Sequence, residues 1–527
     1  MRRSTRFALL TLIIGLALSV AAIARPASDS TADHSKFPEL QKPFASGPEV
    51  TQACLGCHTE AASQLHQTTH WTWAFDNDLT GQQLGKKNVF NNFCVATATN
   101  WPRCTSCHIG YGWKDDNFDL TAEQNVDCLV CHDTTGGYRK FPTGAGHPNY
   151  TAKEWPPKSG NLRPAPDLTA IAQQVGKPSR STCHFYGGGG DGVKHGHLDS
   201  SMHAPDRDLD VHMDAEGLNF SCQTCHVAGG HQISGSRYAT LAQDPAGIVT
   251  PGGEQQRRAS CESCHGSAPH GAEAHHKLDG HADKVACVTC HIPEYARGGR
   301  KTKLWWDWSQ AGQPRGEHGD VLVERDAEGY ETFNVKKGEF VWGANVEPEY
   351  YWYDGHIRFN LLGDPIDPSG EVAINELEGS YANPDARIWP FKVMRGRQPY
   401  DKVHKVLAIP HLFGKDDTAF WKNFDWPRAL KTGLQARDID FSGEYGFVDT
   451  RYYWPVTHMV APKEDALSCE SCHQADGRLA ALDDFYMPGR GQFAWLDRLG
   501  IALVVLTLLG VIGHGVGRIL SRRQRRS

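Results

Sequence analysis

The chain lacks any cluster of Lys and Arg outside its C-terminal end, and its formal net charge is −7. Proteins that bind nucleic acid normally carry a basic stripe or patch, so that class of function is excluded. Internal repeats are also missing, apart from one recurring pentapeptide, and the one low-complexity stretch, at about residues 25–48, predicts a linker. The mean hydropathy of −0.49 is ordinary for a soluble body with a single membrane anchor.

Cysteine is almost absent outside that pentapeptide. Cys-x-x-Cys-His occurs seven times and uses all but two of the 16 cysteines. It is the attachment signature of c-type haem: the two thiols bind the porphyrin, and the histidine that follows lies under the iron. Structural zinc sites also contain Cys-x-x-Cys, but zinc gives no reason for a histidine after each pair. The sequence therefore predicts seven covalently attached haems. The motif residues are Cys54, Cys57, His58, Cys104, Cys107, His108, Cys128, Cys131, His132, Cys222, Cys225, His226, Cys261, Cys264, His265, Cys287, Cys290, His291, Cys469, Cys472 and His473.

Both ends of the chain carry hydrophobic runs. Residues 1–24 predict a secretory signal peptide, because a basic start is followed by an apolar stretch and a small-x-small cleavage site. Residues 496–520 predict a transmembrane helix that includes 19 residues without a formal charge. The arginine-rich residues 521–527 form a cytoplasmic tail by the positive-inside rule. We therefore expect a protein on the periplasmic face of the bacterial inner membrane, anchored in the lipid bilayer.

Composition and motif spacing predict the fold class. Gly and Pro make up about 16 % of the residues, which favours a mainly α, loop-rich multihaem cytochrome c fold with porphyrin in its core. Six motifs lie within a multihaem domain, residues 49–300. Residues 301–490 are expected to cover haems and to carry the last site at 469–473. Alternating segments at 321–324, 330–335 and 340–342 predict a small β-meander in this C-terminal half.

Two cysteines, Cys94 and Cys183, remain outside the paired motifs. Cys183 is followed by His184, but Arg180 stands where the first cysteine of a motif belongs. Three interpretations remain open: an eighth haem held by one thioether bond, a lost haem, or a disulfide between the two cysteines in an oxidising compartment.

A glycine-rich loop follows this incomplete motif. Four consecutive glycines at 187–190 allow the backbone to approach a flat ligand closely, which residues with a Cβ could not do. Asp191, Lys194, His195 and His197 follow, so a carboxylate, an amine and two imidazoles lie within a few residues. Taken without further context, Lys194 is more readily interpreted as a solvated surface lysine than as a ligand.

Several long segments resemble the octahaem tetrathionate reductase family of periplasmic c-type cytochromes. They include Asn-Asn-Phe-Cys-Val-Ala at 91–96 and the glycine loop at 185–199. The other matching segments are 104–113, 125–135, 305–308, 411–414, 442–447 and 457–463. The likeness covers nearly all of the exported body. The family carries both thiols at its fourth site, whereas this chain is shorter there.

The resemblance implies a division of labour among the haems. Most haems in the family have two histidine ligands and carry electrons. The haem at the second site, here Cys104, Cys107 and His108, has a lysine as distal ligand and a substrate cavity lined by a cysteine, an asparagine and an aspartate. Lys194, Cys94, Asn91 and Asp191 match these four residues.

Each of these residue types suits a catalytic role. A lysine amine is a weaker, protonatable ligand and attracts anions. Asn91 can donate hydrogen bonds to substrate oxygen, Asp191 can orient the lysine or relay protons, and Cys94 could exchange with a sulfur–sulfur bond or be an inert thiol. The remaining irons need distal histidines. The candidates are His70, His195, His203, His212, His231, His276, His281 and His458.

Two functions are consistent with these observations. One is a reductase that takes electrons from a quinol-linked membrane cytochrome or another donor and passes them to a small sulfur or nitrogen oxyanion, with tetrathionate, nitrite and hydroxylamine as candidate substrates. The other is a non-enzymatic electron conduit between that membrane partner and other periplasmic redox proteins.

Overall fold

The computed structural model describes residues 32–90, 96–177, 182–242, 248–249, 255–256, 259–271, 276–490 and 494–525. The expected signal peptide and the candidate residues Asn91 and Cys94 lie outside these ranges. Residues 34–36 and 38–40, within the expected linker, form short 3₁₀ turns.

Short helices and loops make up the haem-motif half, as the sequence predicts. Each motif occupies about one helical turn, and residues three apart in a helix point to the same side, so the two thiols of a motif share one direction. The α-helices of the described chain are Gly47–Leu55, Ala61–His66, Thr69–Thr72, Leu129–His132, Leu168–Gln173, Cys222–Cys225, Glu262–His265, His276–His281, Cys287–His291, Phe420–Asn423, Trp426–Gln435, Cys469–Cys472 and Ala494–Gln524. The other 3₁₀ segments are Cys104–Cys107, Glu123–Asn125, Thr182–Gly189, Ser200–His203, Trp308–Gln310 and Lys463–Asp465.

A nine-stranded mixed sheet dominates the C-terminal half, so the expectation of a mainly α fold is not confirmed. The strands in spatial order are Val323–Arg325, Glu331–Asn334, Gly338–Gly343, Thr302–Asp307, Arg387–Asp401, Tyr445–Pro455 and Val372–Ala373, while Glu349–Tyr353 and Val406–Leu407 pair with Arg387–Asp401. The first three form the predicted β-meander. Arg387–Asp401, here called the central strand, is buried along most of both faces, so its residues lack the alternation that would mark it as a strand.

Smaller two-stranded sheets join loops elsewhere. The pairs are Phe75–Asn77 with Gln82–Leu84, Lys153–Glu154 with Leu162–Arg163, Ala228–Gly229 with Gln232–Ile233, Ile248–Val249 with Gln255–Gln256, and His356–Phe359 with Asn375–Glu378.

One apolar cluster ties the two halves together. Phe90, Ala96 and Val193 from the motif half are buried in the same cluster as Trp306 and Phe391 from the sheet. Because this cluster is contiguous, the loop that carries Lys194 is packed against the sheet rather than lying free on the surface.

The C-terminal helix Ala494–Gln524 contains residues 496–520. The most apolar 18-residue window of its stretch Ala494–Arg522 has a mean hydropathy of 2.3, and none of that window is buried against the rest of the chain. Among the described helices it is the one long and apolar enough to cross a membrane.

Replacement of Gly433 tests the packing of helix Trp426–Gln435 against the backbone at Ile409. In helix Trp426–Gln435, a Cβ at Gly433 would overlap the carbonyl oxygen of Ile409. We expect Gly433→Ala to lower the free energy of unfolding by about 2 kcal/mol or more, because the helix must move away from that backbone. Gly370, whose Cβ position is open, is the control, and Gly370→Ala should change little. Urea unfolding followed by circular dichroism measures the free energy of unfolding of both variants. Equal values for Gly433→Ala and Gly370→Ala would contradict this close packing.

Candidate haem and active site

A continuous cavity of about 3400 Å³ runs between the motif half and the sheet. Ordinary ligand pockets reach only about 1000 Å³, so this space fits several large ligands. Twelve of the fourteen motif cysteines line it, as does Cys183, whereas Cys54 and Cys57 do not. The thiols that would hold six porphyrins therefore face one shared interior.

Seven pairs of histidine rings face each other with nearly constant separation. Their ring centroids are 6.0 to 6.4 Å apart, although the angles between the ring planes range from 11° to 78°. The pairs are His58 with His34, His132 with His231, His184 with His70, His226 with His458, His265 with His212, His291 with His270, and His473 with His281.

This separation fits an iron held between two imidazoles. Metal–nitrogen bonds of about 2 Å on either side of one ion place two ring centroids about 6 Å apart. Direct stacking, by contrast, would bring the rings closer, and a variable plane angle would not keep one constant distance. The residues present therefore fit haem iron with two histidine ligands at these seven positions.

Hydrogen bonds orient many of these rings. The Nδ1 atoms of His132, His226 and His473 donate to backbone carbonyls of Gly176, Ser234 and Pro488, at 2.7, 2.9 and 3.0 Å. Nδ1 also donates to an oxygen acceptor in three opposite rings: His231 to Gln64 at 2.9 Å, His270 to Asp279 at 2.8 Å and His281 to Lys277 at 2.6 Å. Because Nδ1 carries the proton, Nε2 is left as the metal ligand.

Burial keeps the deepest rings neutral, which is the form that binds a metal. It lowers the pKa of His184 to about 3 and that of His458 to about 4, and it also lowers the pKa of His70. Loss of solvent outweighs any attraction to carboxylates at these positions.

Five of the eight sequence-predicted distal histidines face a partner ring: His70, His212, His231, His281 and His458. His195 does not: it lies 3.2 Å from an Arg237 nitrogen and packs on Trp454. His203 packs edge-on against Phe185. The side chain of His276 lies outside the described part of the chain.

Sequence reasoning missed His34 and His270, which face His58 and His291. His34 falls within the expected linker, and no local motif marks either residue. A pairing of this kind depends on contacts between distant or irregular segments, so spacing in the sequence carries little signal for it.

The second motif differs from the others. The His108 ring lies among Trp71, Trp73, Trp113 and Phe118, with ring centroids 4.7 to 5.4 Å away. Its Nε2 donates to the Trp71 carbonyl at 2.7 Å, and burial lowers its pKa to about 3. Within the described ranges, no second imidazole faces His108 at the pair distance. This Nε2 can bind an iron only if its hydrogen bond to the Trp71 carbonyl is broken.

Cys107 of the second motif contacts the thiol of Cys183. That hydrogen bond is the largest cause that lowers the pKa of Cys107, to about 5, and it outweighs the opposite effect of burial. The second motif and the incomplete motif at Cys183–His184 are therefore direct neighbours.

Lys194 is almost fully buried. Its amine lies 5.4 Å from the ring centroid of Tyr452 and 5.2 Å from that of Trp454, within the range of cation–π attraction. The adjacent residues Val193 and His195 line the large cavity together with Cys104 and Cys107, although Lys194 itself does not.

The backbone of Lys194 is held by the central strand. The amine of Lys392 donates to the carbonyls of Lys194 at 2.7 Å and Val193 at 3.2 Å, and to the Thr302 hydroxyl. Thr302 in turn donates to the Gly192 carbonyl at 2.7 Å. Burial lowers the pKa of Lys392 well below its ordinary range, which favours the neutral amine in the core.

Asp191 lies in the same loop as Lys194. The carboxylate of Asp191 accepts from the Ser200 backbone at 2.9 Å and its hydroxyl at 2.5 Å, and lies 3.6 Å from Arg300. Phe90 and Ala96, which flank the segment with Asn91 and Cys94, are buried in the same cluster as Val193.

Comparison with known proteins agrees with this architecture. A family model described as cytochrome c554 and c-prime matches residues 46–133, and one described as bacterial cytochrome c matches residues 303–476. A search of curated proteins finds no match. Among solved structures, the octaheme cytochrome c from Shewanella oneidensis is similar, with 43 % identity and a TM-score of 0.73 over 86 % of this chain and 96 % of that one. At this identity and coverage, the chain belongs to the octahaem tetrathionate reductase family of multihaem c-type cytochromes.

Proposed function

We propose that this protein is a membrane-anchored multihaem reductase. Electrons pass along haems with two histidine ligands to a haem on Cys104, Cys107 and His108, where a small sulfur or nitrogen oxyanion is reduced. The observation that carries the proposal is the seven histidine pairs, together with the one motif histidine, His108, that faces no second imidazole in the described chain.

The pairs suit electron transfer. An iron with two histidine ligands has no open position for substrate, so it can only accept and donate electrons. Six of the seven pairs lie along one continuous cavity, which brings the porphyrins close together without intervening protein domains.

The four residues that match the family's substrate cavity suit anion chemistry. A protonated Lys194 would attract an oxyanion and could return a proton as the substrate is reduced. Asn91 would donate hydrogen bonds to substrate oxygen, Asp191 would orient the loop through Ser200, and Cys94 would be available for exchange with a sulfur–sulfur bond. Tetrathionate, nitrite and hydroxylamine all fit this set of groups.

The C-terminal helix supports a membrane location. Its apolar length matches a bilayer, and the arginines at its end favour a cytoplasmic tail. The body would then face the periplasm, where a quinol-linked membrane cytochrome could supply electrons.

Replacement of Lys194 tests the site of reduction. We expect Lys194→Ala to lower the turnover of tetrathionate, nitrite and hydroxylamine by about a hundredfold or more, because the anion loses its positive partner and proton donor. Haem content should stay the same. Lys431→Ala, at an exposed lysine of helix Trp426–Gln435, is the control. Reductase assays with a chemical electron donor measure both, and undiminished turnover would favour the electron-conduit function.

Replacement of Lys392 tests whether the central strand positions Lys194. We expect Lys392→Met to change the absorption and electron paramagnetic resonance signature of one haem and to lower kcat, because two backbone carbonyls around Lys194 lose their donor. Thr302→Val removes a smaller part of the same contact and should shift the same signals less. Lys402→Met, at an exposed lysine just after the strand, is the control. Unchanged spectra in both folded variants would rule out this positioning role.

Replacement of His34 tests whether this histidine, which the sequence did not mark as a candidate, is the distal ligand opposite His58. We expect His34→Ala to convert one haem from low spin to high spin while the haem count stays constant, because the iron at His58 loses its second imidazole. His318→Ala, at an exposed histidine, should leave the spectrum unchanged. Electron paramagnetic resonance of the oxidised protein distinguishes the two, and a fully low-spin His34 variant would exclude this ligand.

A further inference from the structure

The incomplete motif at Cys183–His184 has the geometry of an occupied haem site. His184 faces His70 with ring centroids 6.3 Å apart, within the range of the other six pairs. Both rings line the large cavity, and so does Cys183. A haem site that had decayed would have no reason to keep two imidazoles at this distance on opposite sides of a gap.

The His184 ring is exposed, and it lines the large cavity. The groups that most affect it electrostatically are Arg237 and the imidazoles of His70, His226 and His458, with no carboxylate among them. An iron in the cavity is therefore the group that would satisfy its nitrogen.

We propose that an eighth haem is bound here through a single thioether bond to Cys183, with His184 and His70 as its axial ligands. In attachment, the S–H group of Cys183 adds across one porphyrin vinyl group. The sulfur bonds to the vinyl carbon next to the ring and the hydrogen goes to the terminal carbon, so no oxidant is needed. The second vinyl group remains intact, because the residue at position 180 is Arg.

The position of this haem gives it a role. The Cys183 thiol contacts the Cys107 thiol of the second motif. Since each sulfur would be bonded to the edge of its own porphyrin, the two porphyrin edges would be neighbours. The singly attached haem would therefore be an immediate electron donor to the haem at the proposed reduction site, and in this respect the inference rests on the proposed function.

Acidified acetone, which extracts haem held without a covalent bond, tests the attachment. We expect the wild-type protein to show eight haem mass increments, all retained after extraction. Cys183→Ser should bind eight haems in the native state but release one into the acetone. Cys94→Ser is the control and should retain all eight.

The pyridine haemochrome spectrum adds a second readout. One haem in eight should show the band position of a porphyrin with one intact vinyl group, between those of haem b and haem c. Seven increments with Cys183 open to alkylation would overturn the proposal in favour of a lost haem. Seven increments with Cys183 in a disulfide, or eighth-haem release from the wild type, would also overturn it. None of these results depends on turnover or on Lys194, so they are distinct from a failure of the reductase assignment.

Discussion

The need to hold two imidazoles on opposite sides of an iron governs this structure. Seven histidine pairs keep ring centroids 6.0 to 6.4 Å apart while the angle between their planes varies widely. A metal bound between two nitrogens fixes the distance between the two rings but lets each ring rotate about the nitrogen–metal axis. Short helices, irregular loops and a large internal cavity follow, because the chain must deliver ligands to many porphyrins rather than build a conventional apolar core.

The sheet holds the loop that carries Lys194. The central strand places the Lys392 amine under the backbone of Lys194, and Thr302 from a neighbouring strand completes the contact. The central strand is buried on both faces and gives firm support, whereas the motif half is built from loops. The loop with the candidate residues Asp191 and Lys194 is thus attached to the sheet.

Much of this was predictable and some was not. Paired thiols followed by histidine identify haem sites wherever they occur, because the chemistry requires that spacing. Alternating apolar and polar residues predicted the β-meander. The central strand was not predicted, because burial on both faces removes that alternation. His34 and His270 escaped notice because nothing near them in the chain distinguishes a ligand from any other histidine. His195, by contrast, was a candidate from its place in the glycine loop but packs on Trp454 beside Arg237.

The sequence by itself determined the cofactor class, the attachment thiols, the proximal histidines and the apolar C-terminal helix, because each depends on residues close together in the chain. The tertiary structure decided which distal histidine faces which motif, that Cys183 contacts Cys107, and that Lys392 holds the Lys194 loop. These contacts join residues separated by tens to hundreds of positions, and only the packing of loops against the sheet brings them within bonding distance.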